Sequence, residues 1–478
     1  MEIFKNIKIL DEVGVPLKEY KDIVLDSRKA SKGSIFVAIS GTVTDGHNYI
    51  EKAIENGASA IVCEKIPEKT NKDVYYVKVK NTSEAIGILS SNYYDNPSKK
   101  IKLIGVTGTN GKTTIATLLY NLFTELGYFC GLISTVKNII GKTDYPSTHT
   151  TPDVLTLNSL LAKMVDNGCE YCFMEVSSHA VVQKRIFGLS FEGGIFTNLS
   201  HDHLDYHKTY KNYINAKKGF FDSLGSNSFA LTNIDDKNGL KMVESTKAKI
   251  YKYGLKNIGD FHARIIEKSI YGTLANIDNT EIWLPLPAEF NVYNLLAVYA
   301  VAELCNINKS ELNVAITKIK GAPGRFEIVH NTPKKAVIVD YAHTPDALEN
   351  ILKALKEFEE FNRIICVFGA GGDRDKTKRP EMGEIVLKYA DVAVITSDNP
   401  RTENPDSIID DIMEGISLVD KKRTIRNTNR YSAIQTALNL MNQDDVVLIA
   451  GKGHETYQEI NGVKHNFDDV EVVKELLQ

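Results

Sequence analysis

A glycine-rich loop between an apolar run and a helix-forming stretch constrains this chain more than any other feature. Residues 103–114 read LIGVTGTNGKTT, so apolar residues precede the glycines and GKTT opens the next stretch. In such a loop, backbone N–H groups and a helix N-terminus point at phosphate oxygens. Lys112 would reach the outer phosphates, and Thr113 would offer a hydroxyl to Mg²⁺. The segment therefore predicts an α/β domain that binds ATP.

The loop departs from the strict GxxxxGK[ST] pattern, which requires glycine at Val106. A chance GKTT directly after an apolar strand and before a helix is nevertheless improbable, and binding of ATP is favoured over a structural glycine turn. The residues predicted to contact ATP here are Gly108, Thr109, Asn110, Gly111, Lys112, Thr113 and Thr114.

The length and charge of the chain define its class. A chain of 478 residues is too long for one hydrophobic core, and the turn DNPSKK near residue 98 separates two β-rich patterns. We predict an α/β protein of three domains, namely a small α/β domain at 1–97, a central phosphate-loop domain with a parallel sheet at 98–322 and a Rossmann-like domain at 323–478. The net charge of -4 leaves no basic field for nucleic acid.

Short apolar runs between polar stretches predict the strands of these domains. The predicted strands are 23–25, 34–39, 60–63, 74–79, 172–176, 194–197, 336–340, 363–368, 391–396 and 446–450. Helices are predicted to begin near Pro345, Pro380 and Pro405, because proline suits the first turn of a helix. The apolar runs are too short to span a membrane, and no secretory signal opens the chain, so we expect a cytoplasmic protein without membrane insertion.

Two polar clusters follow predicted strands of the central sheet. The first is EVSSH at 175–179, and the second is the histidine-rich 198–207. Ligands of open α/β sheets bind at the carboxyl ends of strands. A carboxylate and an imidazole there would hold Mg²⁺, although histidine is not its typical ligand. Each of His201, His203 and His207 alone is explained equally well as a surface or hydrogen-bonded histidine.

Lys217 interrupts an apolar stripe. On a helix through 210–224, the apolar side chains Tyr210, Tyr213, Ile214, Phe220, Phe221 and Leu224 share one face, and Lys217 falls at its centre. Such a lysine reaches solvent with its amine, pairs with an anion, or loses its proton. A neutral amine can take up CO₂ as a carbamate and so provide an oxygen ligand for a metal. Periodicity alone favours the amine that reaches solvent.

Two other short motifs have simpler interpretations. Cys169 and Cys172 form the one close cysteine pair, and without a second pair at zinc-ribbon spacing they are best explained as buried thiols. The stretch FGAGGDRD at 368–375 has Arg374 where a dinucleotide fingerprint needs its third glycine, which disfavours NAD binding.

The order of the motifs resembles the Mur ligases over essentially the whole chain. GTNGKTT, EVSSH, DHLDYH and the AKKGF stretch around Lys217 match the central domain of that family, and GRFE at 324–327, DYAHTPD at 340–346 and GKGHE at 451–455 match its C-terminal domain. LDSR at 25–28, THTTPD at 148–153 and DNPR at 398–401 are most similar to the members that add the third residue of the peptide.

The resemblance implies a ligase of peptidoglycan precursor synthesis. ATP would phosphorylate the D-glutamate carboxylate of UDP-N-acetylmuramoyl-L-alanyl-D-glutamate, and the amine of meso-diaminopimelate would attack the acyl phosphate and expel phosphate. Magnesium and Lys112 would neutralise the transferring group. The resemblance also implies a carbamate on Lys217, which with Glu175, His203 and Thr113 would hold the metal. Lys112, Lys217 and His203 are thus the predicted catalytic residues.

The resemblance further assigns the substrate contacts. The predicted contacts of the UDP-linked dipeptide are Ser27, Thr150, Thr151, Ser177, Gln183 and Arg185. The predicted adenine-side contacts are Asn291, Asn294, Arg325 and Asp340, although the two asparagines could equally cap a helix and Asp340 could simply end a strand. The predicted contacts of diaminopimelate are Arg374, Asp398, Asn399, Pro400, Arg401, Gly451 and Glu455.

Arg401 is the residue on which the substrate prediction depends. Diaminopimelate carries a carboxylate beside its distal amine that lysine lacks, and a bidentate arginine reads carboxylates. Lysine-adding relatives lack this arginine. The alternative is a surface arginine paired with Glu403. We expect a monomer. The rival functions are a folylpolyglutamate-type ligase, which the N-terminal LDSR disfavours, and a phosphate-loop switch protein that makes no product.

Overall fold

The N-terminal part is a small parallel sheet with one antiparallel edge. The computed structural model describes residues 2–41, 44–200, 202–332 and 335–478. Strand order in this first sheet is β1-β5-β4-β3-β2, and only β1 pairs antiparallel. Its elements are β1 (Ile9–Val13), β2 (Asp22–Val24), β3 (Ser34–Val37), α1 (Ile50–Glu55), β4 (Ala60–Cys63), β5 (Tyr75–Val79) and α2 (Thr82–Tyr93).

The central part is built on a long mixed sheet with helices on both faces. Its elements are β6 (Lys102–Thr107), α3 (Lys112–Glu125), β7 (Cys130–Ile133), β8 (Lys137–Ile140), β9 (Thr143–Pro146), α4 (Val154–Asp166), β10 (Tyr171–Glu175), α5 (Ser178–Val182), β11 (Gly193–Phe196), α6 (Leu204–His207), α7 (Tyr210–Asp222), β12 (Phe229–Asn233), α8 (Gly239–Val243), β13 (Lys249–Gly254), β14 (Phe261–Ser269), β15 (Gly272–Ile277), β16 (Thr280–Leu284), α9 (Glu289–Leu304) and α10 (Lys309–Ala315).

The order of the central strands determines where ligands can bind. From one edge it is β16-β15-β14-β13-β12-β11-β6-β10-β7-β8-β9, and the strands from β14 to β7 run parallel. The strand before the glycine-rich loop, β6, therefore lies between β10 and β11. Their carboxyl ends meet at one edge, so both polar clusters lie beside the loop.

The C-terminal part is a second parallel sheet with helices on both faces. In the described chain its strand order is β17-β18-β22-β19-β20-β21, with β17 antiparallel, and a separate hairpin follows. Its elements are β17 (Glu327–Thr332), β18 (Lys335–Asp340), α11 (Pro345–Lys356), β19 (Arg363–Phe368), α12 (Lys378–Tyr389), β20 (Val392–Ile395), α13 (Pro405–Glu414), β21 (Thr424–Arg426), α14 (Arg430–Leu440), β22 (Asp445–Ala450), β23 (Tyr457–Ile460), β24 (Val463–Asn466) and α15 (Asp469–Leu476).

Local sequence explains these elements. Strands such as β22 are buried along their whole length, as expected for parallel strands covered on both faces. Helices begin at side chains that accept from free backbone N–H groups, as Asp153 does before α4 and Thr344 does before α11. The predicted three-part α/β architecture is confirmed.

Some predicted bounds were wrong. The strands 60–63 and 363–368 have the predicted bounds. The other predicted strands begin or end one or two residues from the prediction, because their ends depend on pairing rather than on apolar character. The helix expected near Pro380 begins at Lys378, and this proline lies in its first turn, where an N–H has no intrahelical partner. Cys169 and Cys172 are buried free thiols, as predicted. Among the described residues, no helix combines the length and apolarity needed to cross a membrane.

One ion pair lies wholly inside the C-terminal part. Arg430 at the start of α14 donates from Nε and Nη2 to both carboxylate oxygens of Asp469, at 2.8 and 2.7 Å, and neither side chain is exposed. Arg430 Nη2 also donates to the carbonyl of Ala450 at the end of β22. The pair therefore joins two helices to the strand that leads into GKGHE.

Asp469→Ala should destabilise the C-terminal part, because it leaves the Arg430 charge buried without its anion. We expect a loss of about 3–5 kcal/mol, measured by urea unfolding followed by circular dichroism. Glu471→Ala in the same helix is the control, because its pair with Lys474 is exposed to solvent and its loss should cost far less stability. Equal losses in the two variants would contradict the assigned role of the buried pair.

Candidate active site

The glycine-rich loop is tightly fitted against its neighbours. Gly108 and Gly111 adopt φ of 153° and 86°, in the region that favours glycine. A Cβ on Gly108 would collide with the Thr197 hydroxyl, and one on Gly111 would lie 2.8 Å from Asn294 Oδ1. The carboxyl end of β11 and the start of α9 therefore approach the loop so closely that only glycine fits.

Two lysine amines converge on this loop. Lys112 Nζ donates to the carbonyls of Gly108 and Thr109, at 2.9 and 2.7 Å, and Lys217 Nζ donates to the same Gly108 carbonyl at 2.6 Å. The Lys217 side chain is 1% exposed, so the expectation from periodicity alone, an amine in solvent, was wrong. Burial and the neighbouring Lys112 charge hold the pKa of Lys217 well below its usual range. A neutral amine is the form that reacts with CO₂.

Glu175 ends β10 beside the loop and is 1% exposed. Its Oε1 accepts the Thr135 backbone N–H at 2.7 Å, whereas Oε2 is buried and has no hydrogen-bond partner among the described residues. A buried carboxylate oxygen without a donor is costly unless a cation satisfies it. The site therefore has one oxygen oriented and available for a metal ion such as Mg²⁺.

His203 lies over the same edge in a left-handed backbone conformation, with φ of 52°. Burial, together with the Lys112 charge and against the effect of Asp202, lowers the pKa of His203 to about 4. Its ring packs 5.0 Å from that of His179. Neutral imidazole is the form that binds metals. His207 Nε2 instead contacts the Ser178 hydroxyl at 2.9 Å. His201 lies outside the described residues.

Four of the six residues predicted to contact the UDP-linked dipeptide form one hydrogen-bonded network. Arg185 donates to Gln183 Oε1 from Nε and Nη2, at 2.9 and 2.7 Å, and to the Thr151 carbonyl from Nη1 at 2.7 Å. The Thr151 hydroxyl accepts the Ser177 backbone N–H and donates to the Glu175 carbonyl. The network therefore joins a guanidinium to the strand that carries the candidate metal ligand.

The other two predicted dipeptide contacts differ in position. The Thr150 hydroxyl accepts from Thr135, whose N–H binds Glu175, so Thr150 lies next to the network. Ser27 lies in the N-terminal part, where its carbonyl accepts from Asn56.

The predicted adenine-side residues come from two parts of the chain. Asn291 donates to the Pro287 carbonyl and accepts from Asn294, inside the first turns of α9. The N-cap position before Glu289 is Ala288, so neither asparagine caps the start of this helix. Asp340 ends β18 and accepts backbone N–H groups of Phe326 and Ala342.

The central and C-terminal parts meet through polar side chains over the loop. Arg325 Nη2 donates to the Thr113 hydroxyl at 3.2 Å. Asp346 Oδ2 accepts from Asn110 Nδ2 at 2.8 Å and from the Ser200 hydroxyl at 2.9 Å. The sequence pattern did not identify Asp346, although it belongs to the DYAHTPD motif, because its partners lie far away in sequence.

A charged contact completes this junction. Lys378, at the start of α12, donates to Asp202 Oδ1 at 2.9 Å. Burial opposes ionisation of Asp202, but His203 and Lys378 together hold its pKa below the usual range. No sequence pattern identified Lys378, which stands beside Arg379 in a stretch rich in charged residues.

The residues predicted to bind diaminopimelate gather at the carboxyl ends of β19, β20 and β22. Asn399 Nδ2 donates to Glu455 Oε2 at 2.7 Å, and the fully buried Lys452 donates to Asn399 Oδ1 and to Glu455 Oε2 at 3.3 and 3.2 Å. Gly451 has a φ of 116°, and a Cβ there would collide with Asp398 Oδ2, so the Asp398 carboxylate leaves no room for a side chain at this position. Pro400 follows Asn399 in the same loop, and its carbonyl lies against Gly372.

The two predicted carboxylate-reading arginines flank Gly371. Arg401 Nη1 lies 3.0 Å and Arg374 Cγ 3.7 Å from the position that a Cβ on Gly371 would take. Arg401 does not pair with Glu403, the alternative considered from the sequence; its Nη1 donates to the Gly372 carbonyl at 2.6 Å, and its Nε lies 3.7 Å from Glu459. Arg374 is exposed. The loop edge therefore carries two arginines beside Gly371.

Three family models match the chain in order. They are described as the Mur ligase family catalytic domain at residues 19–94, the Mur ligase middle domain at 106–302 and the Mur ligase glutamate ligase domain at 324–453. The central model thus contains the glycine-rich loop, Glu175, His203 and Lys217, and the third contains Arg374 and Arg401.

Curated relatives and a solved structure resemble the chain over nearly its whole length. UDP-N-acetylmuramoyl-L-alanyl-D-glutamate--2,6-diaminopimelate ligases of Phocaeicola vulgatus and Cytophaga hutchinsonii are 51% and 52% identical, covering 99% and 95% of this chain and 98% and 94% of the relatives. A solved structure with the same enzyme name is 34% identical, with a TM-score of 0.68 and coverage of 96% and 94%. Together with the geometry around the glycine-rich loop, these matches establish that the chain belongs to the Mur ligase family.

Proposed function

We propose that this ATP-dependent ligase joins the amine of meso-diaminopimelate to the D-glutamate carboxylate of UDP-N-acetylmuramoyl-L-alanyl-D-glutamate, in the synthesis of a peptidoglycan precursor. The observation that carries the proposal is the pair of cations, Arg374 and Arg401, at a loop edge of the same C-terminal part that contacts the phosphate loop. Relatives about half identical to this chain bear the name of this activity.

The reaction has two steps. The γ-phosphoryl group of ATP passes to an oxygen of the D-glutamate carboxylate, which forms an acyl phosphate and ADP. The neutral amine of diaminopimelate then adds to the acyl carbon, and the tetrahedral intermediate expels phosphate as the amide forms and the amine loses its proton. Both steps require stabilisation of negative charge on the phosphoryl oxygens.

The residues of the phosphate loop fit the first step. Lys112 would exchange its two loop carbonyls for the outer phosphates, and backbone N–H groups of the loop would bind the remaining oxygens. The buried amides of Asn291 and Asn294, with Arg325 and Asp340, would bind the rest of the nucleotide.

Magnesium fits the donor set at this edge. Glu175, neutral His203, the Thr113 hydroxyl and Lys217 as its carbamate would hold it, and the unpartnered Oε2 of Glu175 supports this assignment. The bound ion would supply positive charge against the transferring phosphoryl group. Carbamate formation on Lys217 would join its neutral amine nitrogen to CO₂ with release of one proton, and it would replace a buried neutral amine by an anion.

The three parts of the chain would divide the substrates among them. We assign residues 1–97, with Ser27, to the UDP-sugar, residues 98–322 to ATP and the dipeptide, and residues 323–478 to diaminopimelate. One chain supplies every assigned residue, and ATP is the co-substrate, so we expect a monomer that acts in the cytoplasm. A phosphate-loop switch protein would release ADP without both acceptor and amine, and that dependence separates the two functions.

Lys112→Ala should remove phosphoryl transfer and leave the fold intact, because the loop keeps its glycines but loses its cation. We expect ADP formation to fall by about 100-fold or more. Lys102→Ala, at the opposite end of β6, is the control and should keep normal turnover. A folded Lys112→Ala variant with normal ATP turnover would refute the assignment of the loop.

Lys217→Ala should abolish most activity, because it removes the carbamate ligand. Added bicarbonate should not restore it, whereas a short carboxylic acid should restore part by filling the vacated volume with an oxygen ligand. Lys218→Ala is the control, since Lys218 pairs with Asp222 outside the site. Near-normal turnover of Lys217→Ala, or a high-resolution map with an unmodified amine in the active enzyme, would disprove the carbamate.

Arg401→Ala should weaken the binding of diaminopimelate far more than the binding of ATP, because the distal carboxylate of diaminopimelate loses its cation. Unpaired charge costs about 1–3 kcal/mol or more, so the wild-type enzyme should prefer meso-diaminopimelate over L-lysine by at least tens-fold. Phosphate release with the UDP-linked dipeptide and each amino acid measures this preference. Arg426→Ala, an exposed arginine of edge strand β21, is the control. Equal rates with both amino acids would overturn the assignment of the amino-acid substrate, although the assignment of ligase activity would still stand.

A further inference from the structure

The two loops that carry Arg374 and Arg401 are joined by an ion pair between a buried arginine and a partly exposed glutamate, and this pair has no assigned role in the reaction. Arg374 lies in the loop after β19, and Arg401 lies in the loop after β20. Arg379, in the first turns of α12, is 1% exposed and reaches from the first loop to Glu403 at the end of the second.

The contact between Arg379 and Glu403 is a bidentate fork. Nη1 donates to Glu403 Oε2 at 3.0 Å, and Nη2 donates to Oε1 at 2.8 Å. Nη2 also donates to the Gly371 carbonyl at 3.3 Å, and Nη1 donates to Asp411 on α13 at 2.7 Å. Two parallel bonds fix the relative orientation of the loops more strictly than a point charge can.

Glu403 also forms contacts with residues of the first loop. It accepts the Asp373 backbone N–H at 2.6 Å and pairs with Lys376 at 3.0 Å. The Asp373 carboxylate in turn accepts from the Thr402 backbone N–H and hydroxyl, at 3.2 and 2.7 Å. The guanidinium of Arg379 holds the pKa of Glu403 at about 2, so this carboxylate is ionised throughout the working pH range.

Arg401 itself adopts an unfavourable backbone conformation. Its φ is 52°, a left-handed conformation that is unfavourable for a residue with a side chain and persists only where the surroundings hold it. The hairpin β23–β24 provides one restraint, because Arg401 N–H donates to the Glu459 carbonyl and its own carbonyl accepts from Asn461. The Gly372 carbonyl, within the loop that Arg379 fastens, accepts Nη1 at 2.6 Å and provides the other.

We infer that Arg379 and Glu403 are positioning residues for amino-acid selection. Their bidentate contact holds the Gly371–Gly372 backbone in place, and this backbone orients the Arg401 guanidinium toward the distal carboxylate of diaminopimelate. The inference rests on the proposed function. Neither residue needs to touch the substrate. A shift of the fork displaces the guanidinium, and binding of diaminopimelate weakens although every group that contacts it is still present.

Arg379→Lys separates this role from simple stabilisation, because lysine keeps the buried positive charge near Glu403 and Asp411 but cannot form the fork. We expect the KM for meso-diaminopimelate to rise by about tenfold, the preference over L-lysine to narrow by a similar factor, and the KM for ATP to stay within about twofold.

The matched control is Arg363→Lys. Arg363 begins β19 and donates from Nε and Nη2 to Asp445 at 3.1 and 2.6 Å, at the opposite end of the same sheet. Loss of this pair destabilises the C-terminal part but leaves the loops that carry Arg374 and Arg401 undisturbed. The variant therefore shows what destabilisation alone does to the KM. The KM for diaminopimelate should stay at the wild-type value in this variant. An equal rise in both variants, or no rise in Arg379→Lys, would overturn the inference.

The double variant Arg379→Lys/Arg401→Ala tests whether the fork acts through Arg401. If it does, the second substitution changes the KM for diaminopimelate by less than about twofold beyond Arg401→Ala alone, since coupled residues are not additive. A full additional tenfold rise would overturn the inference. Wild-type enzyme without diaminopimelate-dependent phosphate release would overturn the proposed function as well, so failures of the two are distinguishable.

Discussion

The meeting of two lysine amines on the Gly108 carbonyl is the constraint on which the site depends. Two cations at hydrogen-bonding distance from one buried oxygen repel each other, and burial opposes the charge on both. Lys217, the more deeply enclosed, is the amine that loses its proton more easily. The carboxylates of Glu175 and Asp202 offset part of this positive charge, and bound phosphates would offset the rest. The loop is therefore organised for anions that come from outside the protein.

The same requirement explains why the C-terminal part contacts the loop with polar groups. Asp346 accepts from the loop through Asn110, and Lys378 reaches Asp202 beside the candidate metal ligand His203. An apolar junction would exclude the charged reactants, whereas hydrogen bonds can be exchanged for bonds to a nucleotide. Polar contacts also let one part move against the other, as interfaces between domains generally do. In the proposed reaction, the loops after β19, β20 and β22 would thereby deliver an amine to the phosphorylated carboxylate.

Sequence patterns predicted the loop and the neighbouring strands because each depends on residues close together in the chain. The position of Lys217 in an apolar stripe was also readable, but its amine was expected in solvent, since periodicity says nothing about the Gly108 carbonyl that lies against that face. The contacts of Asn110 with Asp346 and of Arg379 with Glu403 were out of reach for a related reason. They depend on how loops from different strands meet. From the sequence alone, Arg379 is one more basic residue at the start of a helix, and its burial cannot be read from that pattern.

The reacting groups and the recognition groups are held in different ways. The amines of Lys112 and Lys217 donate to carbonyls of the loop, and Lys112 can exchange these bonds for bonds to phosphate oxygens. Arg401, by contrast, keeps a left-handed backbone that a freely mobile loop would relax, so a rigid frame must oppose that relaxation. A recognition group that is already rigid loses less entropy when the ligand binds. The proposed discrimination against an amino acid without the second carboxylate would then be built into the protein before any ligand is bound. Hydrogen bonds that can be exchanged suit the phosphoryl transfer, because the negative charge of the phosphoryl oxygens enters the site only when the reactants are bound.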